Sequence, residues 1–273
     1  MSDGFLFLDQ YVTVEAESRP HSQKEGILKR ITIILAILLG IELFYYVGIV
    51  PFLPLASVRL TSVQGIPRDK LMQYAGINES TSYMSFNAAK VSESLRSIPS
   101  IASVSITKHF PNAVDIVVTE RTAVAVSLAK VSGKLVPIYI DRQGVVFKVG
   151  GDIHAALPLV SGLVFDQVIP GMKLPAYLKN LFMSLEVLEK NNPALLQAIS
   201  EFRIQQKTYG GYELVIYPAN HMGKVRLGSE LNEEVLRYMM LVLDVLASKG
   251  IQTDEIDFRT GTISYRTKEA SSG

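Results

Sequence analysis

The hydrophobic pattern divides the chain into one long apolar run followed by two regions of short alternating segments. The run, ITIILAILLGIELFYYVGIV, extends from Ile31 to Val50 and contains one charged residue, Glu42. A helix of this length, rising about 1.5 Å per residue, spans the roughly 30 Å hydrocarbon layer of a bilayer. Pro51 and Pro54 follow and end the helix. We therefore predict a transmembrane helix over residues 31–50.

The flanks of this run predict its orientation. A cleaved signal peptide would have a shorter apolar region close to the N-terminus, whereas a largely polar tail, residues 1–30, comes first here. Lys29 and Arg30 lie at the near edge, and the far flank holds only Arg59 within fifteen residues of Val50. The positive-inside rule therefore predicts a single-pass type II anchor, with a mostly disordered cytoplasmic tail and everything after residue 50 outside the cytoplasm.

Glu42 is the unusual position of the predicted span. An ionisable group near the middle of a bilayer costs about 2.5–3.5 kcal/mol on insertion scales, so one interpretation is a contact with another transmembrane helix. The other is a protonated side chain that a very apolar segment tolerates. The sequence leaves both open.

The first alternating region, residues 56–122, predicts the order β-α-α-β-β. Pro67 opens and Gly76 closes a short helix, while Asn87 caps a second one that ends before Pro99. The flanking segments with strand character are SVRLTSV, IASVSITKHF and AVDIVVTER, and Pro111-Asn112 forms the turn between the last two.

The second region, residues 123–267, predicts a mixed sheet with helices. Its strand candidates are TAVAVSLA, KLVPIYIDRQGVVFKV, LPLVSG, AISEFRIQQ, YELVIYP and KVRLG, with turns at Ser132-Gly133 and at Asp141 to Gly144. Leucines repeat on one stripe over residues 175–191, and Ser229 is the predicted cap of a helix that ends near Lys249-Gly250. Residues 268–273 form a short tail.

Composition narrows the function further. The formal net charge is +1, so no basic surplus indicates nucleic acid binding, and the absence of cysteine excludes disulfides, thiolate metal sites and a thiol nucleophile. Four scattered histidines lack metal-binding spacing, so we expect neither a metal site nor a cofactor. Acids such as Asp141, Asp152, Asp166 and Glu213 form no paired motif, and Ser161-Gly162 lacks the flanking glycine of a nucleophile elbow. We expect neither an enzyme nor a small-molecule substrate.

Several motifs in the first alternating region resemble the POTRA domain of the FtsQ/DivIB cell division proteins. They are Val63 with Gly65, the series Leu95, Ile98, Pro99, Ile101, Val104 and Ile106, and the series Lys108, Pro111, Val114, Ile116, Val118, Glu120 and Arg121. The stretches Tyr139 to Phe147, Leu157 to Gly162 and Lys224 to Gly261 are similar to the β domain of that family. The resemblance implies an α+β protein of the division septum in the cytoplasmic membrane, which controls septal peptidoglycan synthesis with other divisome proteins.

The segment DEIDFRTGTISYRTK, at Asp254 to Lys268, raises the question of what covers the last strand. Its alternation changes phase across Gly261, which indicates a turn or bulge there. An edge strand leaves N–H and C=O groups that a foreign strand can pair, although it can also simply end the sheet, with Arg266 and Lys268 preventing aggregation. The resemblance implies that FtsB and FtsL dock here, through Asp257, Phe258, Arg259, Gly261, Thr262, Ile263, Ser264 and Tyr265.

We expect the receiving strand at Thr262 to Tyr265 and the preceding strand at Asp257 to Arg259, with Gly261 in the turn between them. A second function remains open on fold grounds, because POTRA domains also occur in extracytoplasmic protein transport and outer-membrane assembly. That function normally requires repeated POTRA modules and a C-terminal barrel, and the sequence contains one module and no barrel pattern.

Overall fold

The computed structural model describes residues 22–62, 66–152, 157–259 and 263–267. Helix α1 covers Ser22–Phe44 and continues through a π turn, Tyr45–Ile49, and a 3-10 turn, Val50–Phe52. It therefore starts earlier than the predicted Ile31, because the polar residues ahead of the apolar run also accept helical geometry. Large apolar side chains are exposed along its length, as expected for a helix whose surroundings are lipid.

The first folded region after the helix is an α/β layer. Its elements are β1 (Ser57–Ser62), α2 (Arg68–Ala75), α3 (Ala88–Arg96), β2 (Ile101–His109) and β3 (Ala113–Glu120). The strand order is β1-β3-β2, with β1 parallel and β2 antiparallel to β3. The two helices pack on one side of this sheet and share a core with it that includes Leu71, Leu95 and Ile116. The predicted order of elements is confirmed; Val63 and Gly65 of the first motif lie outside the described residues.

The second folded region is a mixed sheet with helices. Its elements are β4 (Ala123–Val131), β5 (Lys134–Asp141), β6 (Val146–Val149), β7 (Val160–Ser161), α4 (Lys179–Asn191), α5 (Pro193–Gln197), β8 (Ile199–Gln206), β9 (Tyr212–Pro218), β10 (Lys224–Leu227), α6 (Glu233–Ser248), β11 (Thr253–Asp257) and β12 (Ser264–Thr267). Strands β4, β5 and β6 pair in that order, and the other sheet has the order β12-β11-β10-β9-β8-β7. A parallel bridge between Val126 and Leu159 connects the two sheets. The α+β fold class is confirmed.

Helices α4 and α6 supply the apolar stripe that covers this sheet. Leu181, Leu185, Leu236 and Met239 are almost completely buried in one core with Phe202. Helix α6 also serves as the crossover that makes β11 parallel to β10, after which the chain reverses into antiparallel β12. The direction of the last two strands thus depends on a helix that follows β10.

The cap of α6 differs from the prediction. Asn232, three residues after Ser229, accepts a hydrogen bond from the backbone N–H of Val235 at 2.9 Å and begins the helix. Ser229 instead contributes its backbone carbonyl to the hydroxyl of Tyr212, at 3.0 Å. Both residue types cap helices well, so tertiary contacts decided between them.

Candidate partner-binding edge

Strand β12 is the outermost strand of the six-stranded sheet. Its pairing with β11 places Ser264 opposite Asp257 and Tyr265 opposite Ile256. All four residues of β12 are exposed. Over the described ranges no strand pairs with the outer side of β12, so this side presents backbone N–H and C=O groups to solvent.

The strand boundaries differ from our expectation. Strand β11 ends at Asp257, so Phe258 and Arg259 lie beyond it, and Ile263 precedes β12. The backbone N–H of Phe258 still donates to the carbonyl of Arg226 at 2.9 Å, and the next N–H, that of Arg259, donates to the Asp257 carboxylate at 2.9 Å in a local turn. Gly261 and Thr262 lie outside the described residues.

One face of the edge is apolar. Ile256 is buried against the core, whereas Tyr265, directly opposite it on the same face, is 52% exposed. Next to it, a groove of about 450 Å³ lies between the N-terminal part of α6 and the end of β11, and Phe258 and Ile263 line it. The Phe258 ring meets Tyr238 of α6 edge-on, with centroids 5.9 Å apart. An aromatic surface therefore borders the open strand.

The other face of the edge carries a charged network centred on Glu213. Its carboxylate is 5% exposed and accepts hydrogen bonds from Arg226 and from Arg259, the latter at 2.8 Å. Burial alone would raise the pKa of Glu213, but these two hydrogen bonds outweigh it, so its pKa lies below the ordinary value. Hydrogen bonding to Arg259 likewise lowers the pKa of Asp257.

The network extends to the last strand through Glu255. Its carboxylate lies 3.0 Å from Lys224 Nζ and 3.8 Å from a guanidinium nitrogen of Arg266. The hydrogen bond from Lys224 is the main reason that the pKa of Glu255 is lowered. Arg266 is 71% exposed, so most of its positive charge faces solvent at the open edge.

A second charged pair, between the two folded regions, was not anticipated from the sequence. Arg121, just after β3, donates to the Asp141 carboxylate and, at 3.1 Å, to the carbonyl of Pro99. Asp141 also accepts the backbone N–H groups of Gln143 and Val145, as predicted for a turn former. Both members of the pair occur in the quoted motifs, but nothing in either motif predicts that they meet.

The remaining predicted candidates are placed apart from one another. Glu42 is exposed on α1, and Asp152 and Asp166 are exposed in loops. The Ser161 hydroxyl donates to Glu201 on the polar side of the sheet. Within the described part of the chain, no three His, Asp or Glu side chains could hold a metal ion together.

Comparison with known proteins shows what the chain is similar to. The FtsQ-type POTRA domain matches residues 53–121. DivIB of Bacillus cytotoxicus is 28% identical over 167 residues, and FtsQ of a Geobacter species is 25% identical over 193 residues. FtsQ of Myxococcus fulvus is 25% identical over 209 residues. Over these ranges the chain is similar to the FtsQ and DivIB cell division proteins.

These matches confirm the predicted resemblance. These relatives are named as cell division proteins. The alignments cover 60%, 70% and 76% of this chain and 60%, 67% and 69% of the three relatives, in the order given above. The chain thus matches between 60% and 69% of the length of these relatives.

One helix in the described ranges is long and apolar enough to cross a membrane, Gly26–Phe52. Its 27 residues correspond to about 40 Å, which spans the hydrocarbon layer and reaches into the headgroup region. This is consistent with a single-pass anchor near the N-terminus.

Proposed function

We propose that the chain is a single-pass scaffold of the division septum that performs no chemistry. It binds FtsB- and FtsL-type partners at the β12 edge and so helps to recruit and control septal peptidoglycan synthesis. The observation that carries the proposal is the open outer side of β12, at the edge of a sheet whose other strands are packed against helices. The similarity to proteins named FtsQ and DivIB supports the cellular role.

Binding occurs by strand addition. A partner strand pairs with the free N–H and C=O groups of β12, and each backbone hydrogen bond contributes about 1 kcal/mol net. Tyr265 provides an apolar contact on one face, and the groove beside Phe258 receives a further side chain. On the opposite face Arg266 favours an acidic residue of the partner. The proposed contact set is the predicted one: Asp257, Phe258, Arg259, Gly261, Thr262, Ile263, Ser264 and Tyr265.

The chain is arranged along the membrane normal in this proposal. Residues 1–30 lie in the cytoplasm, residues 31–50 cross the bilayer, and two domains, 56–122 and 123–267, follow outside, with a tail at 268–273. Lys29 and Arg30 on the inner side support this orientation. Glu42 contacts a transmembrane helix of a partner, because an exposed carboxyl at this depth is stabilised by a polar partner.

Site-specific crosslinking in cells tests the docking site. The chain contains no cysteine, so Ser264→Cys and Thr267→Cys each carry one thiol for a photoactivated crosslinker. We expect both variants to capture the FtsB or FtsL homologue. The matched control is Tyr209→Cys in the β8–β9 turn, where the native side chain is fully exposed.

Two results would contradict the proposal. Equal capture by the control and the β12 variants would remove the docking site. Normal division, without filamentous cells, after depletion of the protein would remove the division function.

A further inference from the structure

Three segments of the POTRA region converge where the membrane helix ends. The backbone N–H of Met84 donates to the Pro51 carbonyl at 3.2 Å, and that of Leu55 donates to Thr81 at 2.9 Å. The backbone N–H of Ala56 donates to Asn112 at 3.0 Å. The helix exit, the loop before α3 and the β2–β3 turn therefore form one end of the domain.

Large apolar side chains are exposed at this end. Phe52 is 65% exposed, Leu53 43%, Met84 59% and Phe110 56%. They come from all three converging segments, and we call these four residues the exit patch. Polar side chains would be expected at such positions if the surface faced only water.

The exit patch is held as a unit by contacts behind it. Phe110 meets the ring of Tyr83 edge-on, with centroids 5.9 Å apart. Lys108 lies 4.2 Å from the centroid of that ring and donates to the Tyr83 carbonyl at 2.7 Å. The loop that carries Met84 is thus fixed to strand β2, next to Phe110.

The connection from helix to domain is short and packed. Val50 and Pro51, the residues that leave the helix, are buried. With residues 31–50 filling the roughly 30 Å hydrocarbon layer, Val50 lies at its outer boundary. Phe52 and Leu53 follow immediately, so chain continuity places the exit patch at the level of the headgroups.

We propose that the exit patch binds the outer surface of the membrane that α1 spans, so that the POTRA domain rests on the lipid in a fixed orientation. The proposal rests on the membrane anchoring of the proposed function and adds a second lipid contact to it. Aromatic and large apolar side chains are favoured about 5–10 Å into the boundary between headgroups and acyl chains. A fixed orientation would also fix the direction in which β3 leads into the second domain.

Single-tryptophan fluorescence tests the proposal, because the chain contains no tryptophan. The full-length variants Met84→Trp and Phe110→Trp are each reconstituted alone into phosphatidylcholine vesicles with brominated acyl chains. The matched control, Arg96→Trp, replaces an exposed residue at the other end of α3, nine helical residues from the exit loop. Leu38→Trp, in the middle of α1, reports insertion of the anchor itself.

We expect bromine quenching in Met84→Trp and Phe110→Trp to be at least about threefold stronger than in Arg96→Trp, with a blue-shifted emission maximum. The proposal is overturned if these variants are quenched no more than Arg96→Trp while Leu38→Trp is strongly quenched. In that case the anchor is inserted, the exit patch is away from lipid, and a protein partner becomes its occupant. Weak quenching of Leu38→Trp would overturn the membrane anchoring and the exit patch proposal together.

Discussion

Glu213 illustrates how a buried acid is tolerated near an exposed sheet edge. Its two carboxylate oxygens receive hydrogen bonds from different arginines, Arg226 of β10 and Arg259 after β11. The carboxylate therefore joins the strand β9 to the segment that leads into β12. Removing the negative charge of Glu213 would leave Arg226 and Arg259 with one charged acceptor fewer each. We expect this to lower the free energy of unfolding by about 1–3 kcal/mol.

We expect this network to make stability depend on pH in acid. The pKa values of Glu213, Glu255 and Asp257 are lowered on folding. The contribution of these carboxylates to folding stability is therefore fully present above their ordinary pKa values of 4.5, 4.5 and 3.8. It is lost as the pH falls through the lowered pKa values. Denaturant unfolding of the detergent-solubilised chain should show little change from this source between about pH 8 and pH 5, and a decrease below about pH 4.

The variant Glu213→Gln tests whether Glu213 contributes to this pH dependence of stability. At neutral pH the variant should be less stable than the parent by about 1–3 kcal/mol, and the gap should narrow as the pH falls below about 4. The control is Asp166→Asn, an exposed loop acid expected to change stability by less than about 0.5 kcal/mol. A gap that stays constant from neutral pH to about pH 3 would exclude the proposed linkage.

Strand β12 is short and bears one exposed charged residue, Arg266, features by which proteins keep sheet edges from aggregating. The same strand is exposed on its apolar side through Tyr265. This edge has a charged side chain on one face and an exposed apolar side chain on the other. It can therefore select a partner strand whose two faces carry complementary side chains. Its length of four residues limits how many backbone hydrogen bonds a partner forms.

Proline substitution separates the two sides of this strand. Successive residues of a strand direct their N–H groups to opposite sides, so Tyr265→Pro and Arg266→Pro remove one donor to β11 and one donor to the partner. The variant that loses the donor to β11 should have a lower melting temperature. The variant that loses the donor to the partner should keep its melting temperature within about 2 °C and should no longer capture the FtsB homologue in a pull-down.

The side-chain variants Tyr265→Ala and Arg266→Ala serve as controls, because they keep both N–H groups. Retention of full capture by the proline variant that melts normally would argue against strand addition.

The two folded regions meet through Arg121 and Asp141, a pair whose side chains are 13% and 5% exposed. Gly171 lies close to Pro99, since a Cβ atom at this glycine would be 3.7 Å from the Pro99 ring. The membrane end and the junction with the second domain thus lie at different ends of the POTRA domain. The contacts at this junction therefore hold the two folded regions in one relative orientation.

Arg121→Met tests the junction. It leaves the Asp141 charge without its guanidinium partner, and breaking a buried pair in this way costs about 3–5 kcal/mol. Arg142→Met is the matched control, because that arginine is 60% exposed and lies 3.6 Å from Glu186, a surface pair expected to contribute less than about 1 kcal/mol. Denaturant unfolding measures both, and equal stability of the two variants would show that the junction does not depend on the pair.

The sequence alone determined what depends on neighbours along the chain. Apolar length predicted the anchor, period-two alternation predicted β2 and β3, and Asn87 and Gly76 marked helix ends that the structure confirms. These features could be predicted because helix caps, turns and side-chain alternation are set by residues a few positions apart. The motifs also sufficed to predict the resemblance to FtsQ and DivIB, since they carry those local signals in a fixed order.

Only the tertiary structure decided which groups meet across long separations. It selected Asn232 over Ser229 as the cap of α6, ended β11 at Asp257, and joined Arg121 to Asp141 and Arg259 to Glu213. It also placed β12 at the edge of the sheet, which no alternation pattern encodes. The physical reason is that such contacts depend on strand order and on the burial of each charge, both of which result from the packing of the whole core.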